Sequence, residues 1–112
     1  MKLPNIERAV AAYDKIVGYL LNPEHPEGGD KCEYFIRFGF SVAQWEVLAL
    51  ALIDHAARNE VVKTEATKYG TRYVVEGSVT TPDKRNPELR SVWFIRNDET
   101  FPRLVTAYRL RD

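Results

Sequence analysis

Residues 69–110 read YGTRYVVEGSVTTPDKRNPELRSVWFIRNDETFPRLVTAYRL. Three runs within this stretch, 71–81, 89–96 and 103–110, are rich in Val, Ile, Tyr, Phe, Trp and Thr. Those residue types fit a pleated, half-buried surface. Between the runs lie Pro82-Asp83-Lys84-Arg85-Asn86-Pro87 and Asn97-Asp98-Glu99-Thr100-Phe101-Pro102. Both are turn clusters, built of prolines and short polar side chains. Strands joined by short turns predict an antiparallel meander. Upstream, Tyr69-Gly70 reads as a turn or bulge, and Val61-Val62 with 65–68 reads as an added edge strand.

The segments before residue 60 read as helices that cover one face of this sheet. The strongest is 42–59, opened by a Ser41-Val42-Ala43-Gln44 capping box. Trp45, Leu48, Leu52 and Ala56 form its apolar stripe. Val47, Leu50 and Ile53 widen that stripe, which predicts burial on more than one side. A second helix, 31–38, is expected to be capped by Asp30 and closed by Gly39 in the left-handed region. Cys32, Phe35 and Ile36 would face inward. A short helix, 15–21, is expected behind Asp14. Asn22-Pro23-Glu24-His25-Pro26-Glu27-Gly28-Gly29 excludes regular structure. The order, helices and then strands, predicts an α+β fold: N-terminal helices packed on one face of a C-terminal three- to four-stranded antiparallel meander.

A chain of 112 residues suits one domain with one core. It carries 16 Lys and Arg against 16 Asp and Glu, for no net charge and a pI of about 6.7. There is therefore no overall basic field to draw in nucleic acid. The charges divide unevenly: residues 1–68 hold 8 basic against 10 acidic groups, residues 69–112 hold 8 against 6. A lone cysteine, Cys32, forms no intrachain disulfide, which favours a cytoplasmic setting. The apolar stretch 42–53 contains Glu46 and is too short to span a bilayer. No cofactor or metal pattern is present, since one Cys and two distant His match no zinc spacing.

Three side chains invite a chemical reading singly. His25 lies in a Pro/Gly-rich loop, either as an acid/base group or as an exposed loop residue. His55 comes late in the long helix, where a cation suits the C-terminus. Cys32 is a nucleophile only if its pKa is lowered, and otherwise a small buried hydrophobe. The sheet offers a richer set. Arg72, Arg90 and Arg103 fall at or near strand starts, and Thr106 and Tyr108 share a face of the last strand. Arginines beside a hydroxyl and a phenol hold a phosphodiester through the planar guanidinium fork. With His25 or Lys31 as acid or base they would cut RNA without a metal. The bland reading places the same arginines on the outer face of a one-sided sheet.

Several segments also carry a resemblance, in the same order and over nearly the whole chain: Asn22-Pro-Glu-His-Pro-Glu-Gly, Lys31, Gly39-Phe40, Tyr69-Gly-Thr-Arg-Tyr-Val-Val, Arg90-Ser-Val-Trp-Phe-Ile-Arg and Phe101-Pro-Arg-Leu-Val-Thr-Ala-Tyr. Together they resemble a family of small uncharacterised bacterial domains, similar in turn to C-terminal effector modules of polymorphic toxins. The resemblance implies a small ribonuclease fold of the barnase–colicin–RelE kind. Its matching polar positions are Asn22, His25, Lys31, Arg72, Arg90, Thr106 and Tyr108. Cys32 and Glu33 depart from the pattern, which has small or apolar residues and an arginine after the lysine.

Two functions follow. One is a metal-independent ribonuclease-like toxin domain acting on RNA, with His25, Lys31, Arg72, Arg90, Thr106 and Tyr108 as the candidate catalytic set. The other is a non-enzymatic immunity or partner-binding module that recognises a small neighbour-encoded protein. Neither needs a membrane or a cofactor.

Overall fold

The computed structural model describes residues 1–110. A single 3-10 turn, Ile6–Arg8, comes first. Helix α1, Tyr13–Lys15, continues as a wider π-type turn, Ile16–Leu20. Helix α2 spans Gly29–Arg37 and α3 spans Trp45–Arg58. Strands β1 (Val61–Thr67), β2 (Gly70–Ser78), β3 (Glu88–Arg96) and β4 (Arg103–Arg109) follow. They form one antiparallel sheet in the order β1-β2-β3-β4, which is the expected α+β meander with its fourth, edge strand. None of the described helices is long and apolar enough to cross a membrane.

Side chains alternate between the sheet faces, so register decides what each face carries. Tyr73 pairs with Trp93, Val75 with Ser91, and Trp93 with Leu104. This face meets the helices. Trp93, Val75, Leu89 and Ala107 are fully buried there against Leu48, Leu52 and Ala56 of α3, Phe35 of α2, and Ile16 and Leu20. Burying each large apolar side chain contributes about 1.5–3 kcal/mol. The opposite face carries Arg72, Glu76, Arg90 and Phe94, with Val74 and Val92 between them. Beyond Val61, β1 is exposed on both faces, because the helices do not reach that far. At the other edge Val10 docks on β4: its N–H donates to the Pro102 carbonyl and its carbonyl accepts the Leu104 N–H, both at 2.9 Å.

Several local expectations need correction. Helix α3 starts at Trp45 rather than Val42. The Ser41 hydroxyl does accept the Gln44 N–H (3.2 Å), but it closes a turn ahead of the helix. Its apolar stripe is one-sided. Leu48, Leu52 and Ala56 are buried while Val47 and Leu50 face solvent, because only one layer packs on it. Asp14 does not cap α1, whose N-cap is Ala12, and Asp30 does not cap α2, which begins behind Gly28. In α2 Cys32 and Phe35 are buried, but Ile36 is exposed. Gly39 sits at φ 102°, as a helix-closing glycine should, and its N–H donates to the Ile36 carbonyl.

His55 is not a charged cap. It is fully buried, and its Nε2 lies 3.1 Å from the Gly77 carbonyl oxygen and 3.0 Å from that of Leu89. Carbonyls only accept, so Nε2 carries the proton and Nδ1 accepts from the Ser91 hydroxyl at 3.0 Å. The Trp93 indole N–H donates in turn to Ser91 Oγ at 2.8 Å. A neutral histidine thus pins α3 to β2 and β3. Burial lowers its pKa despite the two carbonyl acceptors.

Candidate functional site

Five of the six predicted site residues meet along the β4 edge, and one residue the sequence reading passed over links them. Tyr19 is that residue. The π-type turn Ile16–Leu20 buries Ile16 and Leu20 and leaves Tyr19 partly buried beside β4. Its hydroxyl lies 2.9 Å from Thr106 Oγ1. Its ring packs edge-on against the His25 imidazole, with centroids 4.8 Å apart. The Lys31 ammonium sits 5.4 Å from the Tyr19 ring centre and 5.9 Å from that of Tyr108. The Arg90 guanidinium lies 5.5 Å from the Tyr108 ring and donates to its hydroxyl (3.3 Å). The resulting row is His25, Tyr19, Lys31, Tyr108 and Arg90, with Thr106 beneath. From Tyr19 to Arg90, ring and cation alternate along it.

Each position has a local cause. Gly28 lets α2 approach Tyr19, because a Cβ there would stand 2.3 Å from the Tyr19 carbonyl oxygen. Helix α2 therefore presents Lys31 in its first turn, where the ammonium also donates to the Glu27 carbonyl at 2.8 Å. The His25 Nδ1 accepts the backbone N–H groups of Glu27 (3.0 Å) and Gly28 (3.1 Å), so the imidazole itself closes the turn into α2. Asn22 does the same one turn earlier, accepting the Glu24 N–H at 3.0 Å. Register sets Arg90 between Glu76 on β2 and Tyr108 on β4. Its Nε and a terminal nitrogen donate to one Glu76 oxygen at 2.7 and 2.6 Å. The Tyr108 hydroxyl and then the Glu76 carboxylate hold the Arg90 pKa above its ordinary value.

Two open grooves flank the row. One, of about 490 Å³, is lined by Lys31, Tyr34, Tyr108 and Arg109 among others. The other, of about 540 Å³, is lined by Lys15, Tyr19, His25 and Thr106 among others. Glu27 borders both. The cations are interleaved with Asp14, Glu27 and Glu76, so the site is mixed in charge rather than a basic patch. Among the described residues, no three His, Cys, Asp or Glu side chains come together in a metal-binding arrangement.

Arg72 does not join the row. It pairs with Phe94, four residues from Arg90 on the same face. At roughly 3.3 Å per strand residue that is on the order of 13 Å away. Arg103 is occupied elsewhere, donating to both oxygens of Glu99 at 2.9 and 2.6 Å. The Cys32 thiol is buried, and burial raises its pKa, which makes it inert. Tyr19 had one sequence signal, its place in the Ile16/Tyr19/Leu20 stripe, and that stripe reads as core.

The molecule is therefore an α+β domain whose sheet edge carries an alternating cation–aromatic row between two grooves. It belongs to the family described as Domain of unknown function (DUF6883), whose model matches residues 2–111. No curated protein matches the chain. Among solved structures, the fold is similar to a chain of a contact-dependent growth inhibition toxin–immunity protein complex from Klebsiella pneumoniae 342. The TM-score is 0.70 at 17% identity, over 96% of this chain and 97% of that one. At that identity the likeness is one of fold.

Proposed function

We propose that this protein is a metal-independent ribonuclease-type toxin domain whose reaction centre is the β4-edge row. The observation that carries the reading is the unbroken chain of contacts His25–Tyr19–Lys31–Tyr108–Arg90, with Thr106 bonded to Tyr19 from 87 residues away in sequence. Fold likeness to a chain of a toxin–immunity complex supports it.

RNA can be cut by its own 2′-hydroxyl. The 2′ oxygen attacks the adjacent phosphorus, the bond from phosphorus to O5′ breaks, one proton leaves the 2′ oxygen and one arrives at O5′. The protein must stabilise the added negative charge on phosphorus and transfer those protons. Lys31 and the outer edge of Arg90 supply positive charge. Thr106 and Tyr108 position the phosphate, and His25 and Lys31 are the groups able to move protons. Arg72 lies too far along the sheet to share that phosphate, and serves a flanking one if any.

Induced expression should halt growth and degrade cellular RNA, and Arg90→Ala or Lys31→Ala should relieve both without unfolding the protein. Normal growth at full expression, with no cleavage of RNA by the purified protein in EDTA, overturns the proposal. A second reading is an immunity or partner-binding module, favoured by β1, whose outer edge and both faces are open beyond Val61. That reading expects a stable complex with a neighbour-encoded protein, indifferent to Arg90→Ala.

A further inference from the structure

Of the two proton-moving candidates, His25 is the one whose hydrogen bonds are settled by the backbone. Its Nδ1 is within 3.0 Å of the Glu27 amide nitrogen and 3.1 Å of that of Gly28. Both are N–H donors, so Nδ1 must offer its lone pair to them. A neutral imidazole then holds its one proton on Nε2. A general base needs the reverse: a bare Nε2 facing the substrate, with the proton on Nδ1. That tautomer would aim a third hydrogen at two amide hydrogens in the turn that leads into α2. His55 shows the same assignment in the core, with Nε2–H on two carbonyls and Nδ1 accepting.

Building on the ribonuclease reading, we infer that His25 is a fixed hydrogen-bond donor and not the base. Its Nε2–H serves the groove it shares with Lys15, Tyr19 and Thr106, and binds an anionic oxygen of the substrate, a phosphate of the RNA chain. The Tyr19 ring, edge-on at 4.8 Å, and the turn to Gly28 hold the imidazole in that orientation. Lys31 is left as the group able to give a proton to the leaving O5′, and the proton of the attacking 2′-hydroxyl passes to solvent water in the open groove. The titratable groups that face His25 are Asp14, Lys15 and Tyr19 from α1 and its continuation, Glu27 of its own loop, and Lys31 of α2.

The tautomer is read directly from imidazole ¹⁵N shifts of uniformly labelled protein at neutral pH, with the His25 signals assigned by their loss in His25→Asn. The expected result is protonated Nε2 and bare Nδ1 at His25, matching the pattern of His55. A proton on Nδ1 overturns the inference whatever the activity. The second arm compares pH–rate profiles on an RNA oligonucleotide. His25→Asn keeps an acceptor for the two amides, as Asn22 does for Glu24, but has no Nε2–H to reach the groove. It should raise KM about tenfold or more, the worth of one hydrogen bond to a charged group, and leave the shape of the kcat profile unchanged. Loss of a limb in His25→Asn makes His25 the proton carrier and refutes the donor role. If wild-type protein cleaves no RNA, the ribonuclease reading and the phosphate contact fall together, while the ¹⁵N result still decides the tautomer.

Discussion

Replacing His55 by Leu is expected to destabilise the fold by an amount that depends on pH. Leu is close in size and apolar, so packing is largely kept, but three polar groups lose their partner: the Gly77 and Leu89 carbonyls and the Ser91 hydroxyl. A stranded buried polar group costs about 1–3 kcal/mol. Carbonyls keep a second lone pair, so the low end applies, and the loss at pH 7 is on the order of 3–4 kcal/mol. The pH term follows from the lowered pKa of His55 in the folded state. The unfolded chain takes up a proton near pH 6.5, but the folded chain does so only at lower pH. The stability from neutral His55 is thus complete above about pH 6.5 and is lost as pH falls below it, toward the folded-state value. His55→Leu has no such term, and His25 and the carboxylates are common to both proteins. The gap between wild type and variant should therefore narrow from pH 7 to pH 5. Urea melts followed by tryptophan fluorescence at each pH would measure it. A gap that is constant or widens toward pH 5, or one below about 1 kcal/mol at pH 7, would refute the buried neutral pin.

Other outcomes are expected from the same structure. Gly77→Ala places a Cβ 2.0 Å from Asn59 Oδ1, whose amide nitrogen donates to the His55 and Ser78 carbonyls. It should cost about 1–3 kcal/mol, visible as a lower urea midpoint. Gly28→Ala pushes α2 away from Tyr19 and should reduce RNA cleavage even in preparations that remain folded by circular dichroism. Tyr19→Phe and Thr106→Val each remove the 2.9 Å hydroxyl bond, so a double-mutant cycle should return a coupling of about 0.5–1.5 kcal/mol. Additive effects would show that the bond contributes nothing. Arg103→Ala breaks a bidentate pair with Glu99, but the pair is partly solvated. It should cost no more than about 1 kcal/mol, and less in high salt.

The architecture is legible in the residues alone. Strand-forming residues between proline-rich turns specify adjacent antiparallel strands, because short connections leave the chain nowhere else to go. Leu48, Leu52 and Ala56 at helical spacing set which side of α3 meets the sheet. These signals are local, acting over a few residues, and the chain carries them wherever it lies. The candidate site is not legible there, because its members meet only on folding. That Tyr19 bonds Thr106, that Arg90 falls between Glu76 and Tyr108, and that Arg72 lies two rows away are matters of register and docking. His55 departs from its expected role for the same reason. Late in a helix it looks like a cap, and its burial depends on the Gly77 and Leu89 carbonyls arriving from two strands. Capping and periodicity describe a segment's own backbone, whereas the chemistry of a side chain is set by partners that only folding brings within 3 Å.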